Sequence, residues 1–557
     1  MIACADSALM SKSLPAQPAR YRSGGSARQA LVGSAHALRT RRNRGALRNA
    51  LLLAASLGFA ALANGQAKPD PAWLAEPHLA ISAWTADDAH RVGGVTEATN
   101  DFTTAERFEA RAGGAATQFR TPGRAAFSQA SANLSAERQL TFKVGDGLFK
   151  KLWVTAPAST RSSDGLGPLY NARACQRCHI KDGRGHPPEG PNDSRVSMLL
   201  SLSIPREASG LAAERLNKLA AAPDPVYGGQ LQDHAIAGID AEGRMEIAYE
   251  AFQVTLSGGE TVSLRKPIYS VSNLGYGPMH PAVRLSPRVA PQMIGLGLIE
   301  AIRAQDIMAL ADPDDADGDG ISGKANRVWS PAHGAWMLGR FGHKASSATI
   351  LDQSAAAFAA DMGLANRLHP AGSGDCTPKQ PACLAAPDGG GPHDHNREVH
   401  DDALDLVVFY AGNLAVPNRR DVTSAEVLRG KQHFYETGCV ACHHPKYVTH
   451  RLTDRPEHSF QLIWPYSDLL LHDMGEGLAD GATAWNASGR EWRTPPLWGI
   501  GLTAAVSGHT NFLHDGRARS LLEAILWHGG EAANATATVI NMAPRDRAAL
   551  LAFLRSL

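Results

Sequence analysis

Beyond residue 63 the chain has no apolar run approaching the roughly 20 residues that cross a bilayer, which excludes a multi-span membrane protein. It also lacks an excess of either charge. Lys and Arg number 55 against 54 Asp and Glu, for a net charge of +1. A nucleic-acid binder normally carries a strongly basic domain, so that class is disfavoured. Cysteine is scarce, with seven in 557 residues, so the position of each one is informative. Two C-x-x-C pairs occur and no third accompanies them, so the two cannot each be completed into a four-thiolate zinc site. What the chain does have is 54 Gly and 33 Pro, which call for many turns and long ordered loops. Its length implies several domain-sized units rather than a single core.

The amino end has the pattern of an export signal. Arg41, Arg42 and Arg44 precede an apolar run over 50–63 that is short for a membrane span. Ala61-Leu-Ala63 and Gly65-Gln-Ala67 are small-residue cleavage candidates. Residues 1–67 are therefore expected to be leader and signal peptide, with a soluble mature protein in the periplasm. The alternative is an uncleaved anchor.

Cys175-Gln-Arg-Cys178-His179 and Cys439-Val-Ala-Cys442-His443 each match the attachment signature of a c-type haem. The order has a chemical reason. Two thiols add to the two haem vinyl groups, and the next histidine reaches the iron from one axial side. Two covalently bound haems c follow, with His179 and His443 as proximal ligands. A redox dithiol is the alternative, but neither motif sits in the β-α-β context that it needs. Cys4 falls in the leader. Cys376 and Cys383 lie close together in a Gly/Pro-rich loop, and in an oxidising compartment they are expected to pair.

The interval between the motifs far exceeds a simple cytochrome module. The expected division is an N-terminal extension over 68–130, an enlarged first haem domain over 131–420 and a second haem domain over 421–557. Within the first, 247–256 and 260–264 flank a Ser-Gly-Gly turn and read as an inserted β-hairpin. A helix over 421–432 is expected to deliver Cys439. The fold class is mainly α.

Several stretches together are more specific than the attachment motifs alone. They are Asp164-Gly-Leu-Gly-Pro-Leu-Tyr-Asn-Ala-Arg-Ala-Cys-Gln-Arg-Cys-His179, Gly339-Arg-Phe-Gly-His-Lys-Ala345 and Leu469-Leu-Leu-His-Asp-Met-Gly475. Glu491-Trp-Arg-Thr-Pro-Pro-Leu-Trp-Gly-Ile-Gly501 and Phe512-Leu-His-Asp-Gly-Arg517 complete the set. With these the chain resembles the di-haem oxidoreductases, peroxidase-like proteins also labelled thiol oxidoreductases, within the bacterial di-haem cytochrome c peroxidase and MauG-like superfamily. The resemblance implies two cytochrome c-like haem domains, the first enlarged by long loops and the hairpin.

It also implies site residues. The relatives carry a methionine ligand late in the helix after a His-Asp-Gly turn, and here that position is His528, with Met474 as the rival sixth ligand. A distal Gln and Glu in the peroxidases correspond to Gln353 and Asp361, at altered spacing; Glu300 is a rival acid. His186 is expected to line the first haem. His343 stands where many relatives have tryptophan, and Trp329 and Trp336 are candidates for an interhaem relay. Arg340 and Arg493, beside Pro/Gly-rich motifs, are candidates for pairing with haem propionates; ordinary salt bridges are the alternative.

A separate motif begins at Asp312. Asp315, Asp317 and Asp319 alternate before Gly320, as in the first half of an EF-hand loop, with Asn326 at the twelfth position. A calcium-stabilised loop is expected, with a solvated acidic turn as the alternative. The function expected from all of this is a periplasmic enzyme that reduces hydrogen peroxide at the first haem. Electrons would pass through the second haem from a small cytochrome c or cupredoxin. The alternatives are an oxidase or oxygenase acting on an organic or protein substrate, and a non-enzymatic electron carrier.

Overall fold

The computed structural model describes residues 71–119, 123–188, 190, 193, 197–391 and 396–557; the expected leader and signal over 1–67 lies outside them. Residues 67–557 form one unit. In chain order, α1 (Ala136–Lys150) leads to α2 (Cys175–Cys178), a single turn carrying the first pair of thiols. Strands β1 (Met198–Ser203), β2 (Arg244–Thr255), β3 (Thr261–Ser272) and β4 (Arg284–Val289) follow. Then come β5 (Arg327–Ser330), β6 (Ala335–Leu338), α3 (Ile350–Met362), α4 (Asp401–Gly412) and α5 (Ala425–Glu436). The last are β7 (Leu471–Asp473), β8 (Glu491–Arg493), α6 (Leu521–Leu526) and α7 (Pro544–Ser556). The molecule is mainly helical, as expected. Its strands, among the described residues, form only two-stranded antiparallel pairs.

Two helix crossings share one design. On α1, a Cβ at Gly145 would overlap the Leu406 carbonyl of α4 and lie 2.7 Å from the Tyr410 Cβ. On α5, a Cβ at Gly430 would overlap the Ala549 carbonyl of α7 and lie 2.8 Å from the Phe553 Cβ. Only glycine permits backbones to approach this closely. Four residues after each glycine, one helical turn on, stands a phenylalanine. Phe149 packs 5.1 Å from Tyr410 and 6.3 Å from His179. Phe434 packs 5.0 Å from Phe553 and 6.2 Å from His443. The chain thus builds the same helix-helix-histidine arrangement twice.

Each crossing has its own apolar core. Phe142, Trp153, Phe358, Leu404 and Val407 surround the first; Val427, Trp464, Tyr466 and Leu550 surround the second. A third cluster lies with Ile294, Ile299, Ile302, Tyr447 and Trp498, and it takes in Trp73 and Phe127 from the segment expected as an N-terminal extension. At about 1.5–3 kcal/mol for each large side chain buried, this docking holds that segment to the molecule.

Two boundaries differ from expectation. The hairpin continues to Ser272 instead of ending at Leu264, because Arg265 is not a break. Its guanidinium donates to the Arg517 carbonyl at 2.9 Å and the Gly516 carbonyl at 3.1 Å, and its charge lies over the Tyr249 ring. Tyr269 adds a hydrogen bond to Asp515 at 2.9 Å, so the hairpin grips the His514–Arg517 turn. The helix expected over 421–432 begins at Ala425 and runs to Glu436, since Asp421 adopts a left-handed φ of 50°. The extra turn carries Phe434. Cys376 and Cys383 form the expected disulfide. No helix among the described residues is long and apolar enough to cross a membrane.

Two glycines on α1 test the crossing. Gly147 is exposed and an added Cβ meets nothing within 4 Å, so Gly147→Ala is expected to stabilise by up to about 1 kcal/mol. Gly145→Ala gains the same helix propensity but must push α4 away, and is expected to lose about 1–3 kcal/mol net. Denaturant midpoints of the two variants measure the difference; equal shifts would show that the crossing is loose.

Candidate functional site

The four thiols of the attachment motifs are free and half-buried. Burial pushes Cys175 up to about 12 and Cys178 higher still, and the charge of Asp361 adds to both. Burial likewise takes Cys439 up to about 12 and raises Cys442. Reactive dithiols have depressed values, so these surroundings oppose the redox-dithiol reading. Both histidines are oriented alike. His179 Nδ1 donates to the Pro291 carbonyl at 2.8 Å, and His443 Nδ1 donates to the Tyr466 carbonyl at 2.9 Å. That tautomer leaves each Nε2 lone pair free for a metal. Burial brings both imidazoles down to about 4, keeping them neutral, the form that ligates.

The surroundings of the two histidines are unequal. His528 lies within electrostatic reach of His443; burial holds its imidazole below the ordinary value, and its Nδ1 donates to the Ala524 carbonyl at 2.7 Å, again leaving Nε2 free. Met474, the rival ligand, packs in an apolar cluster with Trp527, and its carbonyl lies beside Gly529. His179 responds to burial and to the Pro291 carbonyl. His186 is buried, donates to its neighbour's carbonyl at 2.7 Å and stands edge-on to His509.

Two guanidiniums lack anions. Arg184 donates to the carbonyls of Asn511 and Leu513, and Arg493 donates to the Gly342 carbonyl at 2.9 Å. Neither has a carboxylate within ion-pair distance among the described residues. Burial lowers both to about 10, against the weaker opposing pull of Asp515 on Arg184 and of Asp468 on Arg493. Haem propionates are anions of the kind these sites lack. Arg340, the other expected propionate partner, is engaged elsewhere. It is fully buried, and its donors go to the carbonyls of Ile299 and Ile302 and to Glu76. His343 donates to the Val289 carbonyl at 2.9 Å and is held neutral by burial, at about 3.

Among the expected acids, Asp361 alone faces the first motif. It ends α3, accepts from Gln230 at 2.9 Å, and its carbonyl receives the Asn171 and Ala172 amides just ahead of Cys175. Burial raises its carboxyl to about 6, against the Gln230 hydrogen bond. Gln353 is exposed two turns nearer the start of α3, so the pair do not converge. Glu300 is committed to structure. One oxygen accepts the Ile350 amide at the start of α3, and the other pairs with Arg455 at 2.6 Å.

Beside the second motif lies a group that spacing did not reveal. Buried His472 contacts Asp468 and Glu531, each at 2.7 Å, and the Cys442 sulfur at 3.6 Å. Burial opposes its charge, but these hydrogen bonds overcome it and raise the imidazole to about 12. Glu531 also accepts from the Ser322 hydroxyl at 2.6 Å, which ties the acidic loop to this triad. In that loop Asp315, Asp317 and Asp319 bring ligand oxygens within 4.8 Å of one another. Asn326, expected as the twelfth ligand, is not part of the set. It is buried, donates to the Lys344 and Ala484 carbonyls, and its oxygen accepts the Asn486 amide. His472 was within a quoted motif, whereas Gln230 lies far from any motif and Glu531, three residues past His528, carried no signal of its own.

The residues fit two covalently held haems: paired thiols, oriented neutral histidines, and cations awaiting anions. The family model described as "Di-haem oxidoreductase, putative peroxidase" matches residues 107–557. No curated protein matches the chain. Among solved structures, "Kuenenia stuttgartiensis Hydrazine Synthase Pressurized with 20 bar Xenon" is similar at 17% identity and a TM-score of 0.20. The match covers 29% of this chain and 57% of that one, and likeness this slight carries no argument.

The His472 triad generates a prediction that activity does not enter. Replacing the imidazolium by a neutral amide, His472→Gln, leaves two carboxylates beside the second haem and favours its oxidised form. Its midpoint potential is expected to fall by on the order of 50 mV, about one tenfold step for a one-electron couple. Spectroelectrochemical titration resolves the two haems, and an unchanged potential would place His472 outside the haem's field.

Proposed function

Because the chain belongs to the di-haem oxidoreductase family, we propose that this peroxidase-like enzyme is exported and reduces hydrogen peroxide at the haem held by His179. Electrons enter through the haem held by His443, from a small periplasmic cytochrome c or cupredoxin. What supports the assignment is the inequality of the two histidines: His528, with its Nε2 unclaimed, lies within electrostatic reach of His443, whereas His179 is shifted by burial and the Pro291 carbonyl. An iron held on both faces exchanges electrons with little rearrangement, while one with a vacant face can take up peroxide. The two haem units are cytochrome c-like in this reading, each framed by one glycine crossing.

The chain's own residues then have separate tasks. His179 and His443 would hold iron through Nε2, with His528 as the second protein ligand at the His443 site. Arg184 and Arg493 receive propionates. Asp361, kept dry and raised to about 6, takes a proton from one peroxide oxygen and returns it to the other. Two electrons and two protons convert peroxide to two waters. The acidic loop holds a Ca²⁺ through Asp315, Asp317 and Asp319, and fixes Ser322 against Glu531. A second reading, oxidation of an organic or protein substrate, has in its favour a group of half-exposed tryptophans, Trp329, Trp336 and Trp485.

Asp361→Asn is expected to retain both haems and to slow peroxide reduction by roughly 10²–10⁴-fold, the usual worth of general acid-base assistance. The active form is the carboxylate, so the wild-type rate is expected to climb as pH rises through about 6 and then level off. In the variant that limb disappears. Stopped-flow measurement with a chemical electron donor checks both; an effect of only about two-fold would remove Asp361 from the proton path.

Calcium has its own test. A ligand that binds only the folded protein stabilises it by about 2.7 kcal/mol at 100 times its Kd. Thermal unfolding is expected to shift upward with added Ca²⁺ in the wild type and not in Asp317→Asn. If neither responds, the loop is an acidic turn.

A further inference from the structure

Trp329 and Trp336 are direct cross-strand partners on β5 and β6, with ring centroids 5.8 Å apart and nearly perpendicular. Trp485 arrives from a distant part of the chain and meets Trp336 edge-on at 5.5 Å. Its backbone has a φ of 56°, the left-handed region that a bulky residue rarely occupies. Two hydrogen bonds hold it there: its amide donates to the Ala220 carbonyl at 2.7 Å, and its indole N–H donates to the Ser346 carbonyl at 3.0 Å. A constrained backbone that aims a large ring at a surface is a mark of a site.

The three indoles stay half-exposed because they line a cleft of about 410 Å³, within the range of small-molecule sites. Arg206, Lys218, Glu214, Asn217 and Asn486 complete its wall. The charge balance selects the ligand. Two cations face one carboxylate: Glu214 lies 3.8 Å from Lys218, and Arg206, whose donors go to the Leu216 and Leu219 carbonyls, leaves one positive charge without an anion at the cleft. The aromatic faces also have cations of their own, with Lys218 over Trp329 and Arg327 over Trp336, each at 5.2 Å from the ring centroid. A cationic guest would meet repulsion where an empty aromatic cage would attract it. An aromatic guest keeps the stacking surface, and an anionic group on it complements the lysine.

We infer that the cleft formed by Trp329, Trp336, Trp485 and Lys218 binds a planar aromatic anion of about the size of a substituted benzoate. The site goes beyond peroxide reduction and its test does not depend on turnover. The holoenzyme is titrated with 4-hydroxybenzoate by calorimetry, with saturation-transfer NMR on the ligand protons. Cyclohexanecarboxylate, tyramine and maltose serve as probes lacking the ring, the anion or both. Saturable binding of 4-hydroxybenzoate at least tenfold tighter than any of the three is expected. Trp336→Ala and the exposed-site variant Lys218→Glu are each expected to weaken it tenfold or more, with haem absorbance and thermal unfolding of Lys218→Glu unchanged. Absence of binding overturns the inference. So does equal or tighter binding of tyramine, maltose or cyclohexanecarboxylate, or binding indifferent to Lys218→Glu. Loss of peroxide reduction with binding intact would count against the proposed activity alone.

Discussion

Contact between backbones at Gly145 and at Gly430 is the constraint from which the rest of each haem site is built. Where two helices touch without a side chain between them, their neighbouring residues are set at a short, fixed separation. The phenylalanine one turn along then has a single place to go, between the partner helix and the metal-binding histidine. Phe149 and Phe434 occupy that place in matching geometry, although the segments that follow them differ greatly in length. The histidine gains a rigid wall on one side and a backbone carbonyl acceptor on the other. A ligand so held keeps its tautomer and its direction, which is what a metal site needs from the protein around it.

Charge supplies the second layer. Arg184 and Arg493, half-buried and without an ion-paired carboxylate among the described residues, favour uptake of an anionic cofactor. Arg340 shows the contrasting solution, in which a buried guanidinium is matched to Glu76 and to backbone carbonyls and so serves the core. The two outcomes look alike as arginines beside glycine-rich motifs. What separates them is whether a carboxylate from elsewhere in the chain arrives at the same point.

That distinction also explains how far the sequence could be read. Attachment motifs are local, because one helical turn and the next residue hold both thiols and the histidine, and both were legible from spacing. So were the disulfide and the turn of the hairpin. Groups assembled from afar were not. Asn326 fits the arithmetic of a calcium loop, yet its amide is claimed by Lys344, Ala484 and Asn486. Arg265 ended the apolar alternation, but its charge is absorbed by the turn at Gly516 and Arg517, and the strand runs on. Phe434 lay beyond the expected helix end because nothing in its own segment reveals that Phe553 and Tyr466 will be waiting for it.

A duplicated frame raises the question of why its halves would differ in chemistry. The frame governs only the proximal side, where the glycine crossing, the phenylalanine and the carbonyl acceptor act. The other groups near each histidine come from segments outside the crossing, and those are free to diverge. Around the second site they bring His528 toward His443 and place the His472 imidazolium, clamped by two carboxylates, against the attachment sulfur. Around the first they bring Asp361 with a raised carboxyl and the Gln230 amide that holds it. The long insertion between the motifs is therefore more than padding: β2 and β3 emerge from it to grip the turn at His514–Arg517, and Gln230 comes from it to meet α3. Keeping the frame while varying what surrounds it gives the two histidines unequal neighbourhoods within one architecture, and the proposed division of labour rests on that inequality.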